Sequence, residues 1–198
     1  MGTHTLPADD TARVGALCRY RVLDSPSESD FDEMVQLAAS VYKAPMAAIT
    51  FIDHDRQWVK AAIGLDLSQT DRASGLCSFT IQGTDPVVIE DASADVRFSD
   101  HVLVRAHPHV RFYCGAPILT GDGYAVGTLA VMDSIPRTVN GADSLTIRRL
   151  ARQTAALLEL RMLRSERSSV QRDVGGRTGG DPDRSRLRNR SERSASSG

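Results

Sequence analysis

The residues that could do chemistry in this 198-residue chain are three thiols, three strand-end carboxylates with arginines close behind, and a short run of histidines. Cys114 lies in RFYCGAPI, residues 111–118. Read as a strand, the segment puts Phe112, Cys114, Ala116 and Ile118 on one face and Arg111, Tyr113 and Gly115 on the other. Apolar company raises a thiol's pKa and makes it inert, so Cys114 is read as a core filler. Arg111 and Tyr113 become the residues that face a second layer. Cys18 sits beside Leu17 on a helical segment and is read as packing, while Cys77, in SGLCSFTI, falls on a crossover between strands.

Three strands end in aspartate with an arginine downstream: Asp53 with Arg56, Asp91 with Arg97 and Asp133 with Arg137. Such carboxylates bond the backbone N–H groups of turns, and arginine clamps them bidentately. The alternative is that these side chains ring the mouth of a pocket. His101, His107 and His109 lie close together, but without cysteines and without the spacing of a closed zinc site, so no metal is expected. There is no G-x-S-x-G, no P-loop and no G-x-G-x-x-G.

These residues need elements to position them. A short helix over DDTARVGALCRYRVLDSP leads to a stronger one over SESDFDEMVQLAASVYKAP, where Ser29 or Asp30 is the expected cap. Phe31, Met34, Val35, Ala38, Val41 and Tyr42 share one face of it. Strands follow at MAAITFID, RQWVKAAIG, PVVIED, VRFYCGAPIL and AVGTLAVMD, with crossovers after the second and third. A long final helix carries two apolar stripes, Ile147, Leu150, Thr154 and Leu157, and Ala156, Leu160 and Leu163. Either the second stripe pairs with a partner helix or the two form one broad buried face. The order of elements is α+β: one antiparallel sheet, terminal helices on one face, and crossovers enclosing a pocket on the other.

Composition bounds the rest. Hydrophobic residues make up 41%, charged residues 25%, and the net charge is −1, which argues against a general nucleic-acid binder. No apolar run approaches the roughly 18 residues of a membrane span, and no signal peptide is visible at the N-terminus. The odd number of cysteines suits a cytoplasmic protein with reduced thiols. Residues 1–9 are read as a flexible N-terminus and 10–164 as the folded domain. Residues 165–198 are read as a disordered Arg/Ser/Gly-rich tail, whose eight arginines and five acids leave it at +3.

The segments RYRVLDSP, FDEMVQLAASVYKAPMAAITFIDHDRQWVKAAIGL, SGLCSFTI, VVIEDASADVRFSDHVLV and VRFYCGAPILTGDGYAVGTLAVMDSIPR together resemble a GAF domain, over about Arg19 to Arg161. The likeness is to the bacterial subgroup found at the N-terminus of sensor histidine kinases and diguanylate cyclases. The resemblance implies a sheet of five or six strands, a small-ligand pocket, and a sensory role in signal transduction, including two-component systems. It marks Asp53, Arg56, Trp58, Lys60, Arg72, Cys77, Ser78, Phe79, Asp91, Arg97, Phe98, Arg111, Phe112, Tyr113 and Asp133 as motif positions.

The leading expectation is a non-enzymatic sensor. Arg56, Arg97 and Arg111 would favour an anionic small molecule, Trp58, Phe98 and Tyr113 would stack on it, and Cys77, Phe79 and Asp91 would complete the site. Its output would be a signalling protein in trans, with homodimer contacts through the terminal helices. The alternatives are a structural dimerisation or interaction module with a filled pocket, a methionine-R-sulfoxide reductase using Cys77 and Cys114, or a bilin or haem module using Cys77, His107 or His109. The cofactor is left unknown.

Overall fold

The computed structural model describes residues 9–175. Its elements are α1 (Asp10–Arg19), α2 (Ser29–Tyr42), β1 (Met46–Ile52), β2 (Arg56–Ile63), β3 (Gln69–Asp71), α3 (Leu76–Thr80), β4 (Val87–Ile89), α4 (Val102–Arg105), β5 (Phe112–Leu119), β6 (Ala125–Asp133) and α5 (Gly141–Gly175), with a single 3-10 turn at Arg72–Ser74. The six strands form one sheet in the order β3-β2-β1-β6-β5-β4, and every neighbouring pair is antiparallel. Five strands stand where the apolar runs predict them. The sixth, β3, is a polar three-residue edge with no hydrophobic run to announce it.

Alternation along the central strands builds two cores. On one face Ala47, Ile49 and Phe51 of β1 join Phe112, Cys114, Ala116 and Ile118 of β5, packed with Leu17, Phe31, Val35, Ala38, Ile147, Ala151 and Leu158 of the helices. On the other face Met46, Ala48 and Ile52 join Tyr113, Ala130 and Met132, covered by Leu76, Cys77, Ile81, Ile89, Phe98, Val104 and Val110 of the crossovers. The split of RFYCGAPI between two layers is therefore the one its alternation predicts, and Cys114 is a buried filler among apolar neighbours.

The helix ends differ in detail from the expectation. Asp9 caps α1, accepting from the Ala12 N–H at 3.1 Å. The N-cap of α2 is Glu28, one position before Ser29, and its carboxylate makes no capping bond. It is drawn away by two cations described below. Lys43 closes α2 in the left-handed region, with φ of 46°.

Within α5 the stripe facing the sheet is Ile147, Ala151, Thr154 and Leu158, all buried. Leu150 and Leu157 pack at its margin. Ala156, Leu160 and Leu163 stay exposed. The two stripes are thus separate, and Ala156 and Leu160 of the second lie outside the domain core. The first compact unit ends at Met162, close to the Arg164 expected, but the helix runs on to Gly175, past the point where the tail was expected to begin. The rest of that tail, 176–198, and residues 1–8 lie outside the described residues. Among the described residues, no helix is long and apolar enough to cross a membrane.

Candidate functional site

The chemistry-bearing interior lies between the sheet and the crossovers. Tyr113 leaves β5 toward α3, and its ring folds back over Gly115. A Cβ on Gly115 would lie 2.3 Å from the Tyr113 hydroxyl, so the glycine in RFYCGAPI is what lets the tyrosine lie down. The hydroxyl meets Thr80 Oγ1 at 2.7 Å, while Thr80 Oγ1 donates to the Leu76 carbonyl at 3.2 Å. Cys77 Sγ is 3.7 Å from the same tyrosine oxygen. From β6, Thr128 Oγ1 donates to the Cys77 carbonyl at 3.4 Å.

This interior is dry and crowded enough to change its acids. Burial pushes the Cys77 thiol up from its ordinary value and raises the Tyr113 phenol well above its own. On the helix side, burial carries the Cys114 thiol up to about 12. Both shifts favour the neutral thiol, which is not the form that acts as a nucleophile. Cys114 points to the helix side of the sheet and Cys77 packs on the crossover side. Thiols on opposite layers, with diverging Cβ vectors, do not meet the geometry of a disulfide.

Three buried polar atoms here make no well-formed hydrogen bond, Thr50 Oγ1, Gln57 Oε1 and Ser78 Oγ, although Thr50 still interacts with the Cys77 thiol. Thr50 stands opposite Thr128 across the β1–β6 pair. Gln57 packs flat under Gly75, where a Cβ would come within 1.7 Å of its amide nitrogen. A polar group buried without a partner costs about 1–3 kcal/mol, so this region holds unsatisfied hydrogen-bonding capacity.

At the margin of the interior, Phe79 and Phe98 meet edge to face, centroids 5.3 Å apart. The Arg97 guanidinium lies over both rings, 4.9 and 5.0 Å from their centroids. The expected site residues therefore fall into groups. Cys77, Phe79, Arg97, Phe98 and Tyr113 surround the crossover interior. Trp58 packs instead against the helix-side core, because β2 turns Gln57 inward and Trp58 outward from that interior. Arg56 binds Asp24, at 2.7 and 3.0 Å, outside the interior. Asp91 caps its own turn through the Ser93 N–H and hydroxyl. Arg111 donates to the carbonyls of Val104, His109 and Val110, closing the loop before β5.

The aspartate–arginine pairs resolve in the same way. Arg137 pairs with Asp133 and donates to the carbonyls of Tyr42 and Lys43, both at 2.8 Å. Asp53 and Arg56 pair at 3.5 Å. Asp91 does not pair with Arg97: that arginine takes the nearer Asp95, at 2.6 Å. Arg72, a motif position, binds both oxygens of Asp10 at 2.7 Å and joins the buried Arg13 in tying α1 to the β1–β2 turn.

Asp53, His54 and Asp55 bring two carboxylates and an imidazole together in that turn, but the His54 N–H donates to Asp53 there and Arg56 pairs with it. A small cleft of ≈180 Å³ lies on the other side of the sheet, lined by Val41, Tyr42, Phe112, Arg137 and Asp143. It shares no residue with the crossover interior. The residues that sequence reasoning missed are Thr50, Gln57, Thr80 and Thr128. The available signal was a threonine inside the otherwise apolar runs AAITFI and AVGTLAV.

The chain is 37% identical over 137 residues to a cyclic di-GMP phosphodiesterase of Pseudomonas aeruginosa; the aligned part is 69% of this chain but spans only 23% of that protein. Its fold is similar to the GAF domain of a phosphoenolpyruvate-protein phosphotransferase from Coxiella burnetii, with a TM-score of 0.59, 17% identity, and coverage of 79% of this chain and 98% of that one. It is also similar to free methionine-R-sulfoxide reductase from Neisseria meningitidis, with a TM-score of 0.56, 19% identity, and coverage of 85% and 99%. At those identities the two structures speak to the fold alone. The GAF domain profile matches residues 27–162, more than half of the chain, and the protein belongs to the GAF domain family.

Proposed function

We propose that this GAF domain is a regulatory interaction module of the cytoplasm, not an enzyme, and that it acts on a signalling protein through its terminal helices. The observation that carries this reading is the occupied interior. Tyr113 lies at 0% exposure against Thr80 and Cys77, where the resemblance expects a ligand. Apolar surface open to contacts is present on the terminal helices. Leu37 and Val41 of α2 and Leu145 and Leu160 of α5 are each about half exposed, and single-sided apolar faces of this kind suit helix pairing. A second copy of the chain is the partner we assign to them, with the signalling protein engaged in trans. The relative named as a cyclic di-GMP phosphodiesterase makes an enzyme of that kind the first downstream partner to try. The placement of Cys77 and Cys114 on opposite layers gives no support to a reductase built on that pair.

The three polar atoms without a well-formed hydrogen bond favour a second reading, in which a small polar molecule displaces Tyr113. Arg56, Arg97 and Arg111 are engaged by Asp24, Asp95 and backbone carbonyls, so such a ligand is neutral and not the anion first expected. Native mass spectrometry of the purified chain tests both readings. The module reading expects a dimer with no bound small molecule. A monomer carrying a neutral metabolite would replace it with the sensor reading. A ligand at a hundred times its Kd should then add about 2.7 kcal/mol to stability.

A further inference from the structure

A buried charge away from that interior joins the sheet to the last helix. Lys60 of β2 has a side chain at 0% exposure. Its ammonium donates to Ser25 Oγ at 2.9 Å, to the Pro26 carbonyl at 2.6 Å and to Glu28 Oε1 at 2.7 Å, and lies 5.2 Å from the centroid of the Phe31 ring. The same Glu28 Oε1 accepts from Arg161 Nε of α5 at 2.7 Å. Arg161 also donates to the carbonyls of Tyr20 and Arg21, at 2.9 and 3.1 Å. Two residues earlier on α5, Glu159 accepts from the Tyr20 hydroxyl. Three elements therefore meet at one carboxylate oxygen: the strand beneath, the α1–α2 connector, and the helix that passes out of the compact unit one residue later, after Met162.

We infer that Glu28 is the coupling point through which a displacement of β2 or of the α1–α2 connector reaches the outgoing α5 helix. Lys60 and Arg161 have no hydrogen bond to each other; each binds the glutamate. A lysine enclosed by apolar side chains keeps its charge in place only while its acceptors stay put. A shift of the connector therefore has to move Glu28, release Arg161, or expose the lysine. Glu28 is here a positioning residue. The inference deepens the helix-relay reading and rests on it only for its purpose.

Hydrogen exchange by mass spectrometry on the full chain tests it. The Lys60 ammonium bonds Ser25, Pro26 and Glu28 and not α5, so Lys60→Met is the informative variant. Amides of residues 157–162 should exchange about tenfold faster in Lys60→Met and in Glu28→Ala, as expected when a charge-assisted hydrogen bond is lost from a locally opening unit. Reciprocally, Arg161→Met should speed exchange in residues 21–28. Arg148→Ala, which removes the exposed pair with Asp85 on the same helix, should leave 157–162 unchanged. If Glu28→Ala unfolds by stranding the lysine, the double variant Glu28→Ala/Lys60→Met removes both charges and should retain the fast exchange. Wild-type rates at 157–162 in Lys60→Met, with wild-type rates at 21–28 in Arg161→Met, would overturn the coupling. Partner binding by the unaltered chain is read separately, so loss of the coupling and loss of the relay reading are distinguishable.

Discussion

The two faces of one sheet are built to different standards. The helix side is built mainly of apolar residues, from Phe51 and Phe112 to Ile118 and Leu158, and its buried polar groups, Arg13, Lys60 and Thr154, each have a hydrogen-bond partner. The crossover side places Thr50, Gln57, Ser78, Thr80, Thr128 and Tyr113 among its aliphatic residues, and leaves three of their polar atoms without a well-formed hydrogen bond. The same strands supply both faces, so backbone geometry is not the cause. The difference lies in which alternate residues are threonine or tyrosine instead of valine or isoleucine. An apolar layer loses stability when its shape changes. A partly satisfied polar layer has alternative hydrogen bonds to make, and so is the face on which this fold can tolerate rearrangement.

The largest effect should come from the helix side. Phe112 is fully buried, and Phe112→Ala should cost about 3–5 kcal/mol in denaturant unfolding, from lost transfer energy and the cavity left behind. A loss below about 2 kcal/mol would show that the helices repack freely, and the contrast with the crossover side would collapse.

Next in size is the ion cluster that fastens α1 to the sheet. The Asp10 carboxyl is held below its ordinary value of 3.8, first by the hydrogen bond from Arg72, against the opposing pull of burial, and then by Arg13. Because the folded pKa is the lower one, this stabilisation is fully present above the unfolded value and is lost as pH falls through the folded value. Asp10→Asn should cost about 1.5–3 kcal/mol near neutrality and should flatten the loss of stability below pH 3.8. An acid limb of unchanged steepness would mean that the margin charges do not hold the helix layer.

Much of this was legible in the sequence, for reasons that differ by residue. The strands could be read because RFYCGAPI, AAITFI and AVGTLAV are long apolar runs, and the face of Cys114 followed from alternation alone. The site was less legible. Alternation also places Trp58 opposite Gln57, yet β2 is polar enough that neither face of it declares itself the core. Arg97 pairs with Asp95, whose carboxylate also accepts from the Arg97 N–H, and the strand-end pattern pointed to Asp91 instead. The Glu28 contacts join residues more than a hundred positions apart, Tyr20 and Glu28 with Arg161. No local pattern encodes a contact of that range. β3 was invisible because an edge of three polar residues buries nothing.

Two smaller substitutions probe the crossover side directly. Tyr113→Phe deletes the hydroxyl that meets Thr80 and Cys77. It should cost about 1–2 kcal/mol, and the lower end is expected because Thr80 keeps its bond to the Leu76 carbonyl. A near-zero cost would indicate that the tyrosine merely fills space.

Thr50→Val goes further, because Thr50 Oγ1 is buried without a well-formed hydrogen bond and has only an interaction with the Cys77 thiol to lose. The substitution keeps the branched shape that suits a central strand and removes a hydroxyl that is desolvated for little return. Stability should hold or rise by up to about 1 kcal/mol, as read by the urea midpoint at constant m. A fall of more than about 1 kcal/mol would mean that the hydroxyl is satisfied in solution, with Cys77 the nearest polar candidate on the same face. In that case the crossover side would be as fully determined as the helix side, and its capacity to admit a polar ligand would go with the difference between them.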